Sequence, residues 1–246
     1  MIDVIVIGGG PAGVTAALRA RELGATVALV EKGRLGGTCT NDGCVPTRVL
    51  ARTARLLRDY EQFATYGLIA ERPKVDFEKV IARTQQIVYQ MHEKKQLRAH
   101  MEQLGIDAHI DAGGAEFVDA NTIRLGDGTE LQGSKFIICA GGHARRFEFP
   151  GSEYALTHHD VWSMKALPGR IAIVGGAATG SQLASILEAF GATVHLLEVA
   201  PNLFGREDEL LARTLESAFR RRGIDVHTGI SGVERIDKTA DGLRLQ

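Results

Sequence analysis

The chain has 246 residues, 44% hydrophobic and 24% charged, with 29 Lys plus Arg against 30 Asp plus Glu. That apolar content excludes a mainly disordered chain, and a net charge of −1 argues against nucleic acid as a partner. No apolar run is long enough to span a membrane and no basic leader precedes one, so a soluble cytoplasmic protein is expected.

The run Ile2-Asp3-Val4-Ile5-Val6-Ile7 predicts a strand. Gly8, Gly10 and Gly13 follow in the spacing G-x-G-x-x-G, and a helical pattern then leads to Gly24-Ala25-Thr26 and a second apolar strand ending at Glu31. In this pattern one glycine makes the tight turn, one lets backbone N–H groups approach a pyrophosphate, and one packs helix against strand. Glu31 comes 18 residues after Gly13, close to the spacing of about 20 expected of an acid that binds a ribose diol.

Next comes Gly36-Gly37-Thr38-Cys39-Thr40-Asn41-Asp42-Gly43-Cys44-Val45-Pro46, with two of the three cysteines. It lies at the carboxyl edge of the first βαβ unit, where open α/β sheets bind ligands. Zinc would need further ligands, and no histidine or third cysteine lies nearby in sequence, so no metal is expected. Buried free thiols are the plain alternative to redox or catalytic chemistry. Pro46 suits a first helical turn, and Val49, Leu50, Leu56, Leu57, Tyr60 and Phe63 support a helix running towards Gly67. Cys44 then sits at or just before a helix N-terminus, where the dipole favours a thiolate. The spacing of Cys39 and Cys44 also permits a small disulfide ring.

Residues 76–104 predict one long helix stopped at Gly105, with His92-Glu93-Lys94-Lys95 as a solvated face. Residues 106–131 alternate like strands around a turn at Asp127-Gly128. Phe136-Ile137-Ile138-Cys139-Ala140-Gly141-Gly142 predicts a buried strand ending in glycines, with Cys139 a core residue. Residues 147–168, with Pro150-Gly151 and Pro168-Gly169, predict an inter-domain connection.

An internal repeat organises the whole. Residues 4–31 lie on 171–198 without a gap, and ten of the 28 aligned positions are identical, among them Gly8/Gly175, Gly13/Gly180 and Glu31/Glu198. The second copy carries Ala177 in place of the middle glycine, a change expected to weaken rather than abolish a pyrophosphate contact. Glu198 would repel a 2′-phosphate, which favours NAD over NADP; Arg206 reads as solvated near a helix start. Residues 231–246 predict an antiparallel meander. Two dinucleotide motifs on one chain point to two cofactors exchanging electrons.

The segment Gly36–Pro46 and the order of parts around it resemble the class I pyridine nucleotide-disulfide oxidoreductases, the family of dihydrolipoyl dehydrogenase, glutathione reductase and mercuric reductase. The resemblance implies an α/β fold of two Rossmann-like dinucleotide-binding domains, both incomplete at the C-terminal end. Residues 1–148 would form the FAD-binding domain with its redox-disulfide helix, and residues 149–246 the NAD(P)-binding domain. A C-terminal FAD-return and dimerisation domain is absent from this span, so the chain alone is expected to turn over poorly, and the longer form is expected to be a homodimer.

In similar proteins electrons run from nicotinamide through flavin to a disulfide and on to a small-molecule or protein disulfide. The resemblance makes Cys39 the interchange thiol and Cys44 the one at the flavin. It implies FAD contacts at Gly8, Gly10, Pro11, Ala12, Gly13, Glu31 and Lys32, then at Gly37, Thr38, Gly43 and Arg48, and finally at Ala115, Ala140 and Gly141. It implies NAD contacts at Gly175, Ala177, Gly180 and Glu198. Four positions depart from the family pattern. Thr47-Arg48 replaces the usual lysine after the second cysteine, and Gln182 stands where its glutamate partner is expected. Thr40 replaces an apolar residue, and Cys139-Ala140-Gly141 lacks a hydroxyl. No histidine sits in an acid/base context: His158-His159 fall in the connection, and His195 is expected to pack. The competing readings are another two-dinucleotide flavoenzyme, which would not need the dithiol, and a non-catalytic nucleotide-binding remnant.

Overall fold

The computed structural model describes residues 1–246, which divide into two compact units. Unit 1 comprises Met1–Pro46 and Gln86–His143; unit 2 comprises Thr47–Gln85 and Ala144–Gln246. Residues 47–85 group with the C-terminal half.

Unit 1 is built on β1 (Ile2–Ile7), α1 (Pro11–Glu22) and β2 (Val27–Glu31), followed by the short α2 (Gly37–Asn41) and the first residues of α3 (Cys44–Glu61). The chain re-enters through the end of α4 (Phe77–Lys95) and continues as α5 (Leu97–Gln103), β3 (Asp107–Ile110), β4 (Ala115–Phe117), β5 (Thr122–Leu125) and β6 (Glu130–Ile138). The six strands form one sheet in the order β3-β2-β1-β6-β5-β4. β1 pairs in parallel with both β2 and β6, while β4–β5 and β5–β6 are antiparallel. Alternation along β1 and β2 sends Val6, Val27 and Leu29 to one face with Val14 and Ala17 of α1, and Ile5, Ala28 and Val30 to the other with Ile123 and Leu125. Both faces of the central strands are therefore buried, which explains their nearly unbroken apolar sequence.

Two expectations in this unit are corrected. The helix expected over 76–104 breaks at Gln96, whose φ of 43° lies in the left-handed region, so α4 and α5 are separate helices. The run Phe136–Ile138 is a strand as expected but is not buried: Ile137 is 37% exposed and Ile138 70%. α1 and α5 lie chiefly over β1, β2 and β3 and leave the carboxyl end of β6 uncovered. The β5–β6 turn does fall at Asp127-Gly128, with Gly128 at φ 89°.

Unit 2 carries β7 (Arg170–Val174), α6 (Ala178–Ala189) and β8 (Thr193–Glu198), then α7 (Glu209–Arg221), β9 (Asp225–Thr228) and the hairpin β10 (Ile236–Thr239) and β11 (Gly242–Leu245). β7, β8 and β9 form a parallel sheet, and β10–β11 an antiparallel pair. One cluster joins Leu50 and Ala54 of α3, Phe77 and Ile81 of α4, Ala184 and Phe190 of α6, and Leu196 and Val226 of the sheet. Phe77 meets Phe190 edge-on at 6.3 Å. The amphipathic stretches of α3 and α4 bury their apolar faces here, which is why residues 47–85 group with this unit. Leu56, one of the apolar positions expected to support α3, is 52% exposed. The connection over 147–168 is ordered by two 3₁₀ turns, Ser152–Tyr154 and Asp160–Ser163, and buries Val161 and Trp162 in the same cluster. Arg222, just beyond α7, donates to Glu188 of α6 at 2.9 Å and to Glu61 of α3 at 3.1 Å, and these two carboxylates push its pKa up.

Candidate functional site

The first glycine turn is closed by backbone alone. After β1 the chain turns through Gly8 at φ 111°, and its N–H donates to the Val30 carbonyl at 2.7 Å. A methyl group on Gly13 would lie 1.7 Å from the Gly8 carbonyl oxygen, so only glycine lets α1 start this close to the strand end. Gly10 caps α1 from an extended backbone, with no side-chain cap and no acid in the first turn. The N–H groups and positive dipole end of α1 are thereby open to an anion. Exposed Pro11 and Ala12 form the first turn of that helix. A methyl group on Gly10 would meet only Gly37 Cα, at an ordinary 3.7 Å. The protein itself does not need glycine there, but a pyrophosphate approaching the backbone would.

Glu31 at the end of β2 holds the turn from the other side. Its Oε2 accepts the Gly9 N–H at 2.6 Å and its Oε1 the Gly33 N–H at 2.9 Å. Each oxygen keeps a further acceptor site, suited to a ribose diol. Lys32 beside it is exposed.

Unit 2 repeats this geometry atom for atom. Gly175 also has φ 111°, its N–H donates to the Leu197 carbonyl at 2.8 Å, and a methyl group on Gly180 would lie 1.8 Å from the Gly175 oxygen. Glu198 Oε2 accepts the Gly176 N–H at 2.6 Å and Oε1 the Ala200 N–H at 2.8 Å. Ala177 caps α6 at φ −80° and ψ −168°, beside −74° and −178° at Gly10, so the replacement adds a methyl group without changing the backbone. This helix too has no side-chain cap and no acid in its first turn. α7 is conventional by contrast: Asp208 accepts the Leu211 N–H at 3.1 Å, and Glu209 occupies the first turn. Arg206 is exposed just before that cap.

The cysteine segment is tied to the first turn. The Gly36 N–H donates to the Gly9 carbonyl at 2.9 Å, and a methyl group on Gly37 would lie 2.8 Å from Gly10 Cα. α2 carries Thr38, Cys39 and Thr40; Gly43 follows, with room for a methyl group only 3.0 Å from the Thr38 carbonyl oxygen. Cys44 is the first residue of α3 and is exposed, as the helix-start reading expected. Thr40 is 2% exposed. On the other side of the turn, the Cys139 N–H donates to the Ile7 carbonyl at 2.7 Å, and a methyl group on Gly8 would lie 2.1 Å from the Cys139 carbonyl oxygen. The Cys139 side chain packs against the core of unit 1, and Ala140 and Gly141 emerge exposed beyond it. Ala115 opens β4 and is exposed. In unit 2, Arg48 and Gln182 are both exposed.

Of the solvated face expected at residues 92–95, Glu93, Lys94 and Lys95 are exposed as expected, and His92 alone departs, being half-buried. His92 Nε2 lies 2.8 Å from Asn41 Oδ1, and Lys95 Nζ lies 3.5 Å from Thr40 Oγ1, so this turn of α4 faces the cysteine segment. Asn41 Nδ2 donates to the Leu35 carbonyl at 3.2 Å, which leaves its Oδ1 to accept from His92. Burial, then the positive charges of Arg34 and Lys95, lower the His92 pKa against an opposing pull from Glu93. Nothing in the sequence tied position 92 to position 41; the spacing of 51 residues carries no local pattern. Gly9 and Gly33 were likewise not singled out, although Gly9/Gly176 is one of the identical pairs of the repeat. His195, expected to pack, is instead 3.0 Å from the Asp225 carboxylate.

Two open helix N-termini, each set beside a strand-end glutamate, with a two-cysteine segment attached at the first, are the features that the chain's α/β fold brings together. A family model described as "Pyridine nucleotide-disulphide oxidoreductase" matches residues 2–246, and the chain belongs to that family. It is 33% identical to a dihydrolipoyl dehydrogenase of Zymomonas mobilis over 248 residues, covering 99% of this chain and 53% of that protein. It is 33% identical over 247 residues to a dihydrolipoyl dehydrogenase of Bacillus subtilis, covering 97% of this chain and 53% of that protein. The fold is similar to the HOCl-induced flavoprotein disulfide reductase RclA from Escherichia coli, with a TM-score of 0.82 and 28% identity over 99% of this chain and 52% of that one. The chain thus spans about half the length of the curated relatives it matches. No helix is long and apolar enough to cross a membrane.

Two outcomes test this geometry. Glu31→Ala removes the acceptor of two backbone N–H groups, each such charged hydrogen bond being worth about 1.5–3 kcal/mol. Urea unfolding should show a loss of that order. His92 titrates below its unfolded value of 6.5, so the unfolded chain takes up its proton first, and the stability tied to neutral His92 is lost as pH falls through that range. His92→Gln should flatten the pH dependence of the urea midpoint between about pH 7.5 and about pH 5.5, against a steeper fall in the wild type.

Proposed function

We propose that this chain is the flavin- and nicotinamide-binding part of a disulfide oxidoreductase of the dihydrolipoyl dehydrogenase type. It takes electrons from NADH through FAD to a Cys39–Cys44 pair and on to a small-molecule or protein disulfide. The observation that carries this reading is the attachment of the cysteine segment to the first dinucleotide turn through the Gly36–Gly9 hydrogen bond and the Gly37–Gly10 backbone contact. That attachment sets a thiol pair beside the place where a flavin dinucleotide would be anchored.

The residues fit both groups. The backbone of the first turn, the N-terminus of α1 and Glu31 would hold the pyrophosphate and ribose of FAD. The matching parts around Gly175, Gly180 and Glu198 would hold NAD, with Glu198 disfavouring a 2′-phosphate. When bound, FAD supplies a two-electron carrier between nicotinamide and sulfur. The sulfur chemistry belongs to the chain. A Cys39 thiolate attacks one sulfur of the acceptor disulfide, and the other sulfur leaves as a thiolate that takes a proton. Cys44 then attacks the mixed disulfide, gives up its proton and releases the second thiol. The acceptor gains two electrons and two protons, and Cys39 and Cys44 end joined by a bond. A homodimer and a cytoplasmic location are proposed for the longer form.

Anaerobic addition of one equivalent of NADH to the FAD-loaded chain tests the reading. The flavin should keep its oxidised bands and gain a new long-wavelength band as the two electrons pass on to the sulfur pair, and Cys44→Ser should instead bleach without that band. A spectrum unchanged by NADH, a wild-type flavin that bleaches without the new band, or a Cys44→Ser spectrum identical to wild type overturns it.

A further inference from the structure

His195, Asp225 and His227 form a cluster outside both dinucleotide turns, on the parallel strands β8 and β9. The register pairs His195 with Asp225 and Leu197 with His227. Alternation along the strands sends Val194, Leu196 and Val226 into the core of unit 2, and so sends His195, Asp225 and His227 to the opposite face. There the two imidazoles converge on one oxygen. His195 Nδ1 lies 3.0 Å from Asp225 Oδ2, and His227 Nε2 lies 2.7 Å from the same atom. The three ligand-type atoms all lie within 4.8 Å of one another. His195 is half-buried, whereas Asp225 and His227 are exposed.

A surface ion pair needs one imidazole, and the sheet supplies two. We propose that His195 Nδ1, His227 Nε2 and the Asp225 carboxylate bind a divalent first-row transition ion of the zinc class, with solvent completing its coordination. Two imidazoles and one carboxylate are borderline nitrogen and oxygen donors, suited to zinc, nickel or copper and short of the six to eight oxygens that calcium takes. Ligand bonds of about 2.0–2.2 Å fit within the present spacing after a small opening of the triangle. Binding needs each ligating nitrogen free of its proton, so the proton moves to Nε2 of His195 and Nδ1 of His227. All three donors stand on strands rather than loops, which holds the site in shape without the metal. β9 is the edge strand of its sheet, and the ion would fasten it to β8, whose last residue is Glu198.

The test is calorimetric titration of Zn²⁺ into the full chain carrying Cys39→Ser and Cys44→Ser, which keeps those thiols from competing. One ion should bind per chain. His195→Ala and His227→Ala should each weaken that binding at least tenfold. His109→Ala is the control, since His109 pairs with Asp107 at 3.0 Å without a second imidazole, and it should leave binding unchanged. Absence of stoichiometric binding, or equal affinity in all three variants, overturns the proposal. If a variant misfolds, imidazole ¹⁵N spectra of the parent decide: Zn²⁺ should shift the His195 and His227 resonances and not that of His109, and the reverse pattern refutes the site.

Discussion

A methyl group on Gly13 would lie 1.7 Å from the Gly8 carbonyl oxygen, and the rest of unit 1 depends on the closeness that this reflects. α1 begins almost on top of the end of β1, so its open N–H groups point out over the carboxyl edge of the sheet. The same closeness brings Gly9 within reach of the Glu31 carboxylate and of the Gly36 N–H. The carboxylate fixes the turn against β2, and the Gly36 bond fixes the cysteine segment against the turn. Strand end, helix start, acid and thiols are therefore one connected structure in this unit, with the backbone as its main material.

The second unit uses the same device without a thiol segment. The clamp of Glu198 on Gly176 and Ala200 reproduces that of Glu31 on Gly9 and Gly33 to within about 0.1 Å. Even the packing partner recurs, since the nearest atom to a methyl group on Gly9 would be Leu35 Cδ2 and on Gly176 Leu203 Cδ2. What differs is chemical. Ala177 places a methyl group where Gly10 leaves space, and this narrows the approach to the backbone without altering it. One architecture thus offers two anion-binding helix starts of unequal room.

Most of this was legible in the sequence because its causes are local. Strand, glycine turn, helix and terminal glutamate follow one another within a few dozen residues, and α1 and α6 begin and end at matching positions of the repeat. Cys44 at a helix start was legible for the same reason. What escaped depends on contacts between distant segments. His92 looked solvated because its neighbours in sequence are charged, yet its position is decided by Asn41 on another element. The break at Gln96 leaves no glycine or proline to mark it; a residue with φ 43° interrupts an otherwise helical run. Ile137 and Ile138 read as core because apolar strands usually are, and their exposure follows from which helices cover β6. His195 was read alone, whereas its partners Asp225 and His227 come from the next strand.

Two separate dinucleotide sites of different selectivity are proposed for this chain. Successive calorimetric titrations test them most directly, first FAD into the apo chain and then NAD⁺ into the FAD-loaded chain. One FAD and one NAD⁺ per chain are expected, with the NAD⁺ site unaffected by saturation of the first and lost in a Glu198→Ala variant that still takes up FAD. Displacement of one ligand by the other, or a chain that binds only a single dinucleotide, would contradict the proposal.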